Sequence, residues 1–121
     1  MQYDFNNIQI IGRFVQSPEL TYTPNGNAVC KFSIANNYGD DAYFFNCESW
    51  KLTAENIAKF FKKGDKVLLE GKLKQDTWES DGKKRSAVKI IVFKFHFIGG
   101  NKKSNVEKVK DAFQADDNIP Y

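Results

Sequence analysis

The stretch that decides the fold is AYFFNCESWKLTAENIAKFF, residues 42–61. Residues 42–50 alternate between two sets of side chains with a period of two, which is typical of a strand. From Ala54 to Phe61 the apolar side chains instead recur at positions i, i+3, i+4 and i+7, which predicts a helix. Thr53 stands where it would cap the start of that helix, and Gly64 stands where it would end. The chain therefore passes from a strand into one helix.

Strands are predicted on both sides of this helix. Residues 7–15 and 28–36 come before it, and residues 66–78 and 85–98 come after it. The turn-forming segments between them are Thr23-Pro24-Asn25-Gly26, the loop 36–41 and Ser80-Asp81-Gly82. The order β-β-β-α-β-β predicts an all-β domain with one helix. We expect an OB-fold, in which five antiparallel strands close into a Greek-key barrel without open edges.

Length and composition limit the class of protein. With 121 residues, of which 41% are hydrophobic, we expect one soluble globular domain with a short flexible tail. No apolar run approaches the ~20 residues of a membrane span, and the first residues lack a signal-peptide pattern. Two cysteines cannot supply a disulfide framework or a four-ligand zinc site. We expect Cys30 and Cys47 to be reduced thiols of a cytoplasmic protein, with a bridge between them as the alternative.

Basic and aromatic residues are unevenly used. Residues 1–58 carry three basic and six acidic side chains, whereas residues 59–94 carry eleven basic and five acidic ones. One basic third of the chain favours a polyanionic partner. The chain also has 11 Phe, 5 Tyr and 2 Trp, more rings than one small core needs, so we expect some of them to face a partner.

Two of the strands place rings among polar and basic side chains. On residues 42–50, one face carries Phe44, Asn46, Glu48 and Trp50, and we interpret it as the solvent face because polar groups do not enter a core unpaired. The strand 66–78 repeats the pattern with Lys72, Lys74, Asp76 and Trp78, and the basic path continues through Lys83, Lys84 and Arg85. A single ring on the outer face of a strand is more often half-buried in the core or part of a subunit contact. A single run of basic residues is usually only exposed to solvent. Found together on two strands, they favour binding of a single nucleic-acid strand, because bases stack on rings while cations follow the phosphates.

The other rings have a different interpretation. Tyr43 and Phe45 fall on the inner face of their strand, which predicts a place in the core or in a subunit interface. Phe93, Phe95 and Phe97 alternate on one face, and we expect at least part of that stripe to be core or interface. His96 is a single histidine in an apolar strand and is interpreted as structural.

Several segments resemble the bacterial-type single-stranded DNA-binding proteins. In order, they are Ile10-Ile11-Gly12-Arg13, Pro18-Glu19-Leu20, Tyr22-Thr23-Pro24-Asn25-Gly26, Phe44-Phe45-Asn46-Cys47-Glu48-Ser49-Trp50, Ala54-Glu55-Asn56-Ile57-Ala58-Lys59, Glu70-Gly71-Lys72-Leu73, and Trp78 before Ser80-Asp81-Gly82. The resemblance covers roughly residues 5–98. The final residues 116–121 also resemble the acidic tip with which such proteins end.

The resemblance implies a role for particular residues. It implies base stacking at Phe44, Trp50 and Trp78, a contact with the DNA backbone at Lys74, and a further ring at Tyr38. It also implies a homotetramer whose tip recruits enzymes of replication, recombination and repair. The chain departs from the family pattern at Asp76 and Asn46, where cations are usual, and at Asn118 and Tyr121, where an acid and Phe are usual.

The predictions concern the domains, the contact residues, the cofactors and the location of the protein. Residues 1–100 are expected to form an OB-fold domain that binds single-stranded DNA, residues 101–115 a short polar linker, and residues 116–121 a partner-binding tip. The candidate DNA contacts are Phe44, Trp50, Trp78, Lys72, Lys74, Arg13, Lys31, Lys51, Lys83, Lys84, Arg85 and Tyr38. The candidate partner contacts are Asp116, Asp117, Asn118, Ile119, Pro120 and Tyr121. We expect no catalytic residue, metal or cofactor, and a cytoplasmic, nucleoid-associated location.

Three alternatives stay open. The first is an RNA-binding or cold-shock-like protein of the same fold, which a comparison of DNA and RNA affinities separates because the 2′-OH is the physical difference. The second is an enzyme such as a nuclease, against which stand the single His and the lack of a nucleophile or phosphate-loop motif. The third is a protein–protein adaptor, which would show no salt-dependent binding to oligonucleotides.

Overall fold

The computed structural model describes residues 2–98, which form six strands and one helix. In chain order the elements are β1 (Ile8–Phe14), β2 (Glu19–Tyr22), β3 (Ala28–Tyr38), β4 (Asp41–Trp50), α1 (Lys51–Phe60), β5 (Lys66–Ser80) and β6 (Lys83–Phe97). The predicted linker 101–115 and tip 116–121 lie outside the described residues. Within residues 2–98, no helix is long and apolar enough to cross a membrane. The same residues contain no group of three or more His, Cys, Asp or Glu side chains that could hold a metal ion.

Five of the strands close into a barrel. The hydrogen-bonded order is β1-β5-β6-β4-β3-β2, and β1 also pairs with β3, with Arg13 opposite Ala35 and Phe14 opposite Ile34. The ring β1-β5-β6-β4-β3 is therefore closed. The short strand β2, which the sequence did not predict as a separate element, pairs with the first half of β3. The predicted OB-fold is confirmed.

One contact in the barrel is parallel, so the expectation of antiparallel strands throughout is wrong. β4 and β6 run in the same direction, with Cys47 opposite Ile90 and Glu48 opposite Ile91. A closed ring with an odd number of strands cannot reverse direction at every contact, so at least one pair must be parallel. This contact brings β4 beside the long β5–β6 hairpin.

The helix begins earlier than the sequence predicted. α1 starts at Lys51, which has a positive φ of 57°, and its N-cap position is Trp50, which makes no capping side-chain hydrogen bond. Thr53 is not the cap, because its hydroxyl instead donates to the carbonyl of Phe93 at 3.4 Å. The helix ends at Phe60, and the N–H of Phe61 bonds to the carbonyl of Ile57. Trp50 is thus fixed at the junction between a strand and a helix.

Aromatic rings and two thiols fill the core. The ring centre of Phe61 lies 4.9 Å from that of Phe14 and 4.6 Å from that of Phe97. Cys30 and Cys47 are buried free thiols, as the sequence predicted, and they lie opposite Ser49 and Phe32, not opposite each other. Burial raises the pKa of Cys30 to about 11 and that of Cys47 to about 12. Both thiols therefore stay protonated at neutral pH.

A β-bulge interrupts the pairing of β5 with β6. Glu70 pairs with Lys94, but the next residue, Gly71, pairs with Val92, so Phe93 is an extra residue on β6. The shift in alternation leaves Phe93 52% exposed while Phe95 is buried. The prediction that Phe93, Phe95 and Phe97 share one face is therefore wrong at Phe93.

Candidate nucleic-acid interface

The outward side of β4 carries two exposed rings. Phe44 is 67% exposed and Trp50 is 39% exposed, which confirms the prediction that both face solvent. They stand six residues apart on one strand, a separation of ~20 Å at ~3.4 Å per residue. Asn46 lies between them opposite Ser33, whose hydroxyl donates to the Asn46 side-chain oxygen at 2.8 Å. This bond leaves the amide hydrogens of Asn46 as donors.

Trp78 continues the row of rings onto the β5–β6 hairpin. It is 46% exposed, and its cross-strand neighbour is Arg85. We call the outward side of β4, β5 and β6 that carries Phe44, Trp50 and Trp78 the ring face. Lys72 and Lys74 lie on the same side of β5 as Trp78, since residues two apart on a strand share a face.

The predicted basic residues fall at different places on the hairpin. Lys83 lies opposite Ser80, in phase with Trp78 and Arg85, so it belongs to the ring face. Lys84 lies opposite Glu79, one residue out of phase, and therefore points to the other side of the hairpin. Three consecutive residues of a strand cannot share one face, so Lys84 does not lie on the ring face, and its contact with DNA is still a prediction.

Arg13, Lys31 and Lys51 surround β4. Arg13 and Phe44 both pair with Ala35, from opposite sides, and the Arg13 guanidinium donates to the carbonyl of Gly64 at 3.2 Å. Lys31 lies opposite Glu48, and Lys51 follows Trp50 directly and is exposed. The three cations therefore come from β1, β3 and the start of α1, around the strand that carries Phe44 and Trp50.

Tyr38 is separated from this set. It is exposed and lies opposite Asp41, on the face of the β3–β4 hairpin that also carries Tyr43 and Phe45 and not Phe44. The structure therefore does not place Tyr38 beside the ring face. Tyr43 and Phe45 are themselves exposed, so they are not core residues. Their place in a subunit interface, the other half of that prediction, is still a prediction.

Glu48 is the main surprise on β4. The sequence put it on the solvent face, yet it is only 5% exposed, because neighbouring side chains cover it. The indole Nε1–H of Trp50 donates to one carboxylate oxygen at 2.7 Å, and the ammonium of Lys89 donates to the other at 2.9 Å. Lys89 also pairs with Asp76 at 3.0 Å. The ion pairs thus link β4, β6 and β5.

The charges in this cluster stabilise one another. Burial alone would raise the pKa of Glu48, but hydrogen bonds from Lys89 and Trp50, with the nearby charges of Lys89 and Lys31, hold it below its usual value. The hydrogen bond to Glu48 is the main reason that the pKa of Lys89 is raised. Both groups are therefore charged at neutral pH. The sequence patterns did not predict Lys89 as part of this cluster. Its only mark in the sequence is a single lysine between the apolar residues Val88 and Ile90.

A groove and an additional ring adjoin the ring face. The groove has a volume of about 530 Å³ and is lined by residues that include Ser17, Lys31, Ser33, Asn46, Glu48 and Lys89. The additional ring is Phe93, which the bulge turns outward and which has the ammonium of Lys72 at 6.0 Å from its centre. Sequence alternation could not identify Phe93, because a bulge leaves no clear mark on the pattern.

The chain is similar to a family of known proteins. The profile of the single-strand binding protein family matches residues 5–98. The chain is 36% identical to a single-stranded DNA-binding protein of Treponema pallidum, over 79% of this chain and 59% of that one. It is 35% identical to one of Aquifex aeolicus, over 84% and 76% of the two chains, and 34% identical to one of Borreliella burgdorferi, over 90% and 78%. The chain thus spans between 59% and 78% of the length of these relatives. The profile match covers every strand of the barrel and the helix, and the chain belongs to the single-strand binding protein family.

Proposed function

We propose that the protein binds single-stranded DNA with little preference for sequence. The observation that supports this most is the ring face, on which three large rings are exposed to solvent beside cations from neighbouring strands. Every base has a π-face, so stacking tolerates any sequence, and each stacked base is worth ~1–3 kcal/mol. Cations such as Arg85, Lys74 and Arg13 stand where they can meet phosphates. The names of the relatives point to the same ligand.

The intrinsic fluorescence of the two tryptophans provides the test. We expect oligo-dT to quench the emission, and we expect the Phe44→Ala, Trp50→Ala and Trp78→Ala variants each to bind about 5- to 150-fold more weakly, since one stacked base is lost. Because Phe44 and Trp78 are largely exposed, their loss should change the free energy of unfolding only slightly, whereas Trp50→Ala also removes the hydrogen bond to buried Glu48 and should cost about 1–3 kcal/mol. Val88→Ala is the control, because Val88 is exposed on the other face of β6. A large loss of stability with unchanged affinity would contradict the proposal.

Electrostatics and the nature of the strand can be tested in the same titration. Affinity should fall steeply as salt is added, because each neutralised phosphate releases condensed counterions. Flat affinity across the salt series would contradict the electrostatic half of the mechanism. A matched RNA oligomer tests the alternative ligand, and tighter binding to RNA than to DNA would favour an RNA-binding protein.

We also propose the wider role that the resemblance implies. The protein would protect single-stranded DNA during replication, recombination and repair, as a homotetramer in the cytoplasm at the nucleoid, without catalysis of its own. Residues 116–121 would recruit partner enzymes, since two acidic side chains precede Ile-Pro-Tyr at the end of the sequence. Such a segment can pair with basic side chains and fill an apolar pocket.

A further inference from the structure

The indole of Trp50 is tethered at one edge. Its Nε1–H donates to the Glu48 carboxylate at 2.7 Å, a charge-assisted bond, and Glu48 is only 5% exposed. The other carboxylate oxygen accepts a bond from Lys89 at 2.9 Å, so Glu48 is held from both sides. Rotation of the ring about its side-chain torsions would break the bond to Nε1. The 39% of Trp50 that remains exposed is therefore presented in one orientation.

We propose that Glu48 is the positioning residue for the stacking surface of Trp50, and that Glu48 and Asp76 together keep Lys89 from contacting phosphates. The proposal rests on the proposed binding of single-stranded DNA. It assigns a role in DNA binding to a buried carboxylate, a group that would otherwise repel the ligand. The benefit is preorganisation, because a ring that is already ordered loses less entropy when a base stacks on it.

The ion pair with Lys89 explains how the Glu48 carboxylate can be buried at the ring face. Its ammonium lies 2.9 Å from Glu48 and 3.0 Å from Asp76, so two carboxylates satisfy one cation. Asp76 stands two residues before Trp78 and therefore lies on the same face of β5. Lys89 is therefore engaged within the protein, although it lies between the strands that carry Trp50 and Trp78. We expect it to add nothing to the counterions released on binding.

A comparison of Glu48→Gln with Glu48→Ala isolates the tether. Both variants lose the charge, but glutamine keeps an oxygen that can accept the bond from Nε1. We expect Glu48→Ala to bind oligo-dT about two- to tenfold more weakly than Glu48→Gln, the range that ordering one large side chain implies. In a Trp50→Phe background, where there is no N–H to hold, the two variants should bind equally. Thermal unfolding of each variant checks that the protein is folded at the temperature used.

A second measurement needs no DNA. In a Trp78→Phe background Trp50 is the only tryptophan, and its time-resolved fluorescence anisotropy reports the motion of the ring. The fast component should grow in Glu48→Ala and stay small in Glu48→Gln. Equal anisotropy in the two variants, or a difference in affinity that persists without the indole, would overturn the positioning role. If Trp50→Ala left DNA affinity unchanged, stacking on this ring would fail, while the anisotropy would still decide whether Glu48 orders it.

The role of Lys89 has its own test. Both Glu48→Gln and Asp76→Asn should release Lys89 toward phosphates and make the slope of log affinity against log salt steeper by up to ~0.7, the value for one added contact with a single strand. Lys89→Met, combined with either substitution, should remove that gain. A slope that does not change in either single variant would overturn this part of the proposal.

Discussion

Single residues of the ring face are held in different ways. Phe44 is the most exposed of the three rings and has no polar group with which to anchor itself. Trp50 is less exposed and is bonded through its indole N–H to Glu48. Two rings on one strand thus differ in how strongly they are held before a ligand binds, and the hydrogen bond from Trp50 to Glu48 accounts for the difference. Glu48 is held in turn by its ion pair with Lys89. The same pair also affects the stability of the fold.

The free energy of unfolding should depend on pH through this pair. The pKa of Glu48 is lower in the folded protein, so its contribution is complete above its ordinary value of 4.5 and is lost as the pH falls through the lowered one. The pKa of Lys89 is raised, so its contribution is complete below its ordinary value of 10.5 and is lost only as the pH rises beyond it. The pair is therefore fully stabilising between those two values.

Urea unfolding at a series of pH values checks this expectation. The midpoint of the wild-type protein should drop below pH 4.5, and Glu48→Gln should show a shallower drop because one of the titrating carboxylates is gone. Glu19→Gln, at an exposed residue of β2, is the control and should follow the wild type. Parallel curves for Glu48→Gln and the wild type would contradict the expected contribution.

At the scale of elements, β5 and β6 approach each other closely at Gly71, next to the bulge at Phe93. A Cβ added at Gly71 would lie against the backbone carbonyl of Ile91, so no larger residue fits without moving β6. The bulge beyond it turns Phe93 outward. The absence of a side chain at Gly71 thus permits the close approach of the two strands next to the bulge that exposes Phe93.

Gly71→Ala should destabilise the protein by about 1–3 kcal/mol, the usual range for a side chain forced into occupied space. The free energy of unfolding in urea measures the loss. Gln75→Ala is the matched control, because Gln75 is exposed on the same strand. If Gly71→Ala unfolded at the same urea concentration as the wild type, that result would contradict the close packing of β5 against β6 at Gly71.

The register of the β5–β6 hairpin places Arg85 and Lys84 on opposite faces, which predicts different roles in DNA binding. Arg85→Ala should weaken binding of oligo-dT and make the salt slope shallower by ~0.7, because Arg85 lies beside Trp78. Lys84→Ala removes the same formal charge from the other side of the hairpin and should have a clearly smaller effect on both. Equal effects of the two substitutions would mean that net charge, and not the face on which it lies, governs binding.

The sequence predicted the fold well because its main signals are local. The change of period near Ala54 identifies the helix, and alternation in residues 42–50 identifies the face that carries Phe44 and Trp50, but it does not predict that Tyr43 and Phe45 are exposed as well. The pattern predicts neither the start of the helix at Lys51 nor the bulge at Phe93, and the bulge depends on the pairing of β6 with β5, a contact between separate segments of the chain. For the same reason alternation predicted the direction of Glu48 but not its burial, which comes from Trp50 and from Lys89 on another strand.

At the scale of the whole molecule, the closure of the barrel brings the basic strands beside the strand that carries Phe44 and Trp50. The basic third of the chain, residues 59–94, spans the strands β5 and β6, and the parallel contact places these strands beside β4. Cations from one part of the sequence are thereby brought to the rings of another. Residues 116–121 carry two acidic side chains and no basic one, whereas residues 59–94 carry eleven basic and five acidic ones, so these two segments have opposite net charge.

Deletion of residues 116–121 should separate DNA binding from partner recruitment. We expect the shortened chain to bind oligo-dT at least as tightly as the full chain, because it loses two acidic side chains and keeps the whole barrel. Pull-downs with both chains should recover partner enzymes with the full chain only. Light scattering on both should give the same oligomeric mass, and a change in that mass would instead assign the segment to subunit assembly.

The two core thiols make the barrel easy to label at one chosen place. Cys30 and Cys47 are buried and, with pKa values of about 11 and 12, present almost no thiolate to a maleimide at neutral pH. A cysteine introduced at position 84, on the side of the hairpin away from Trp78, would therefore react alone. A dye attached there would report the arrival of a strand from behind, without occupying the surface on which that strand lies.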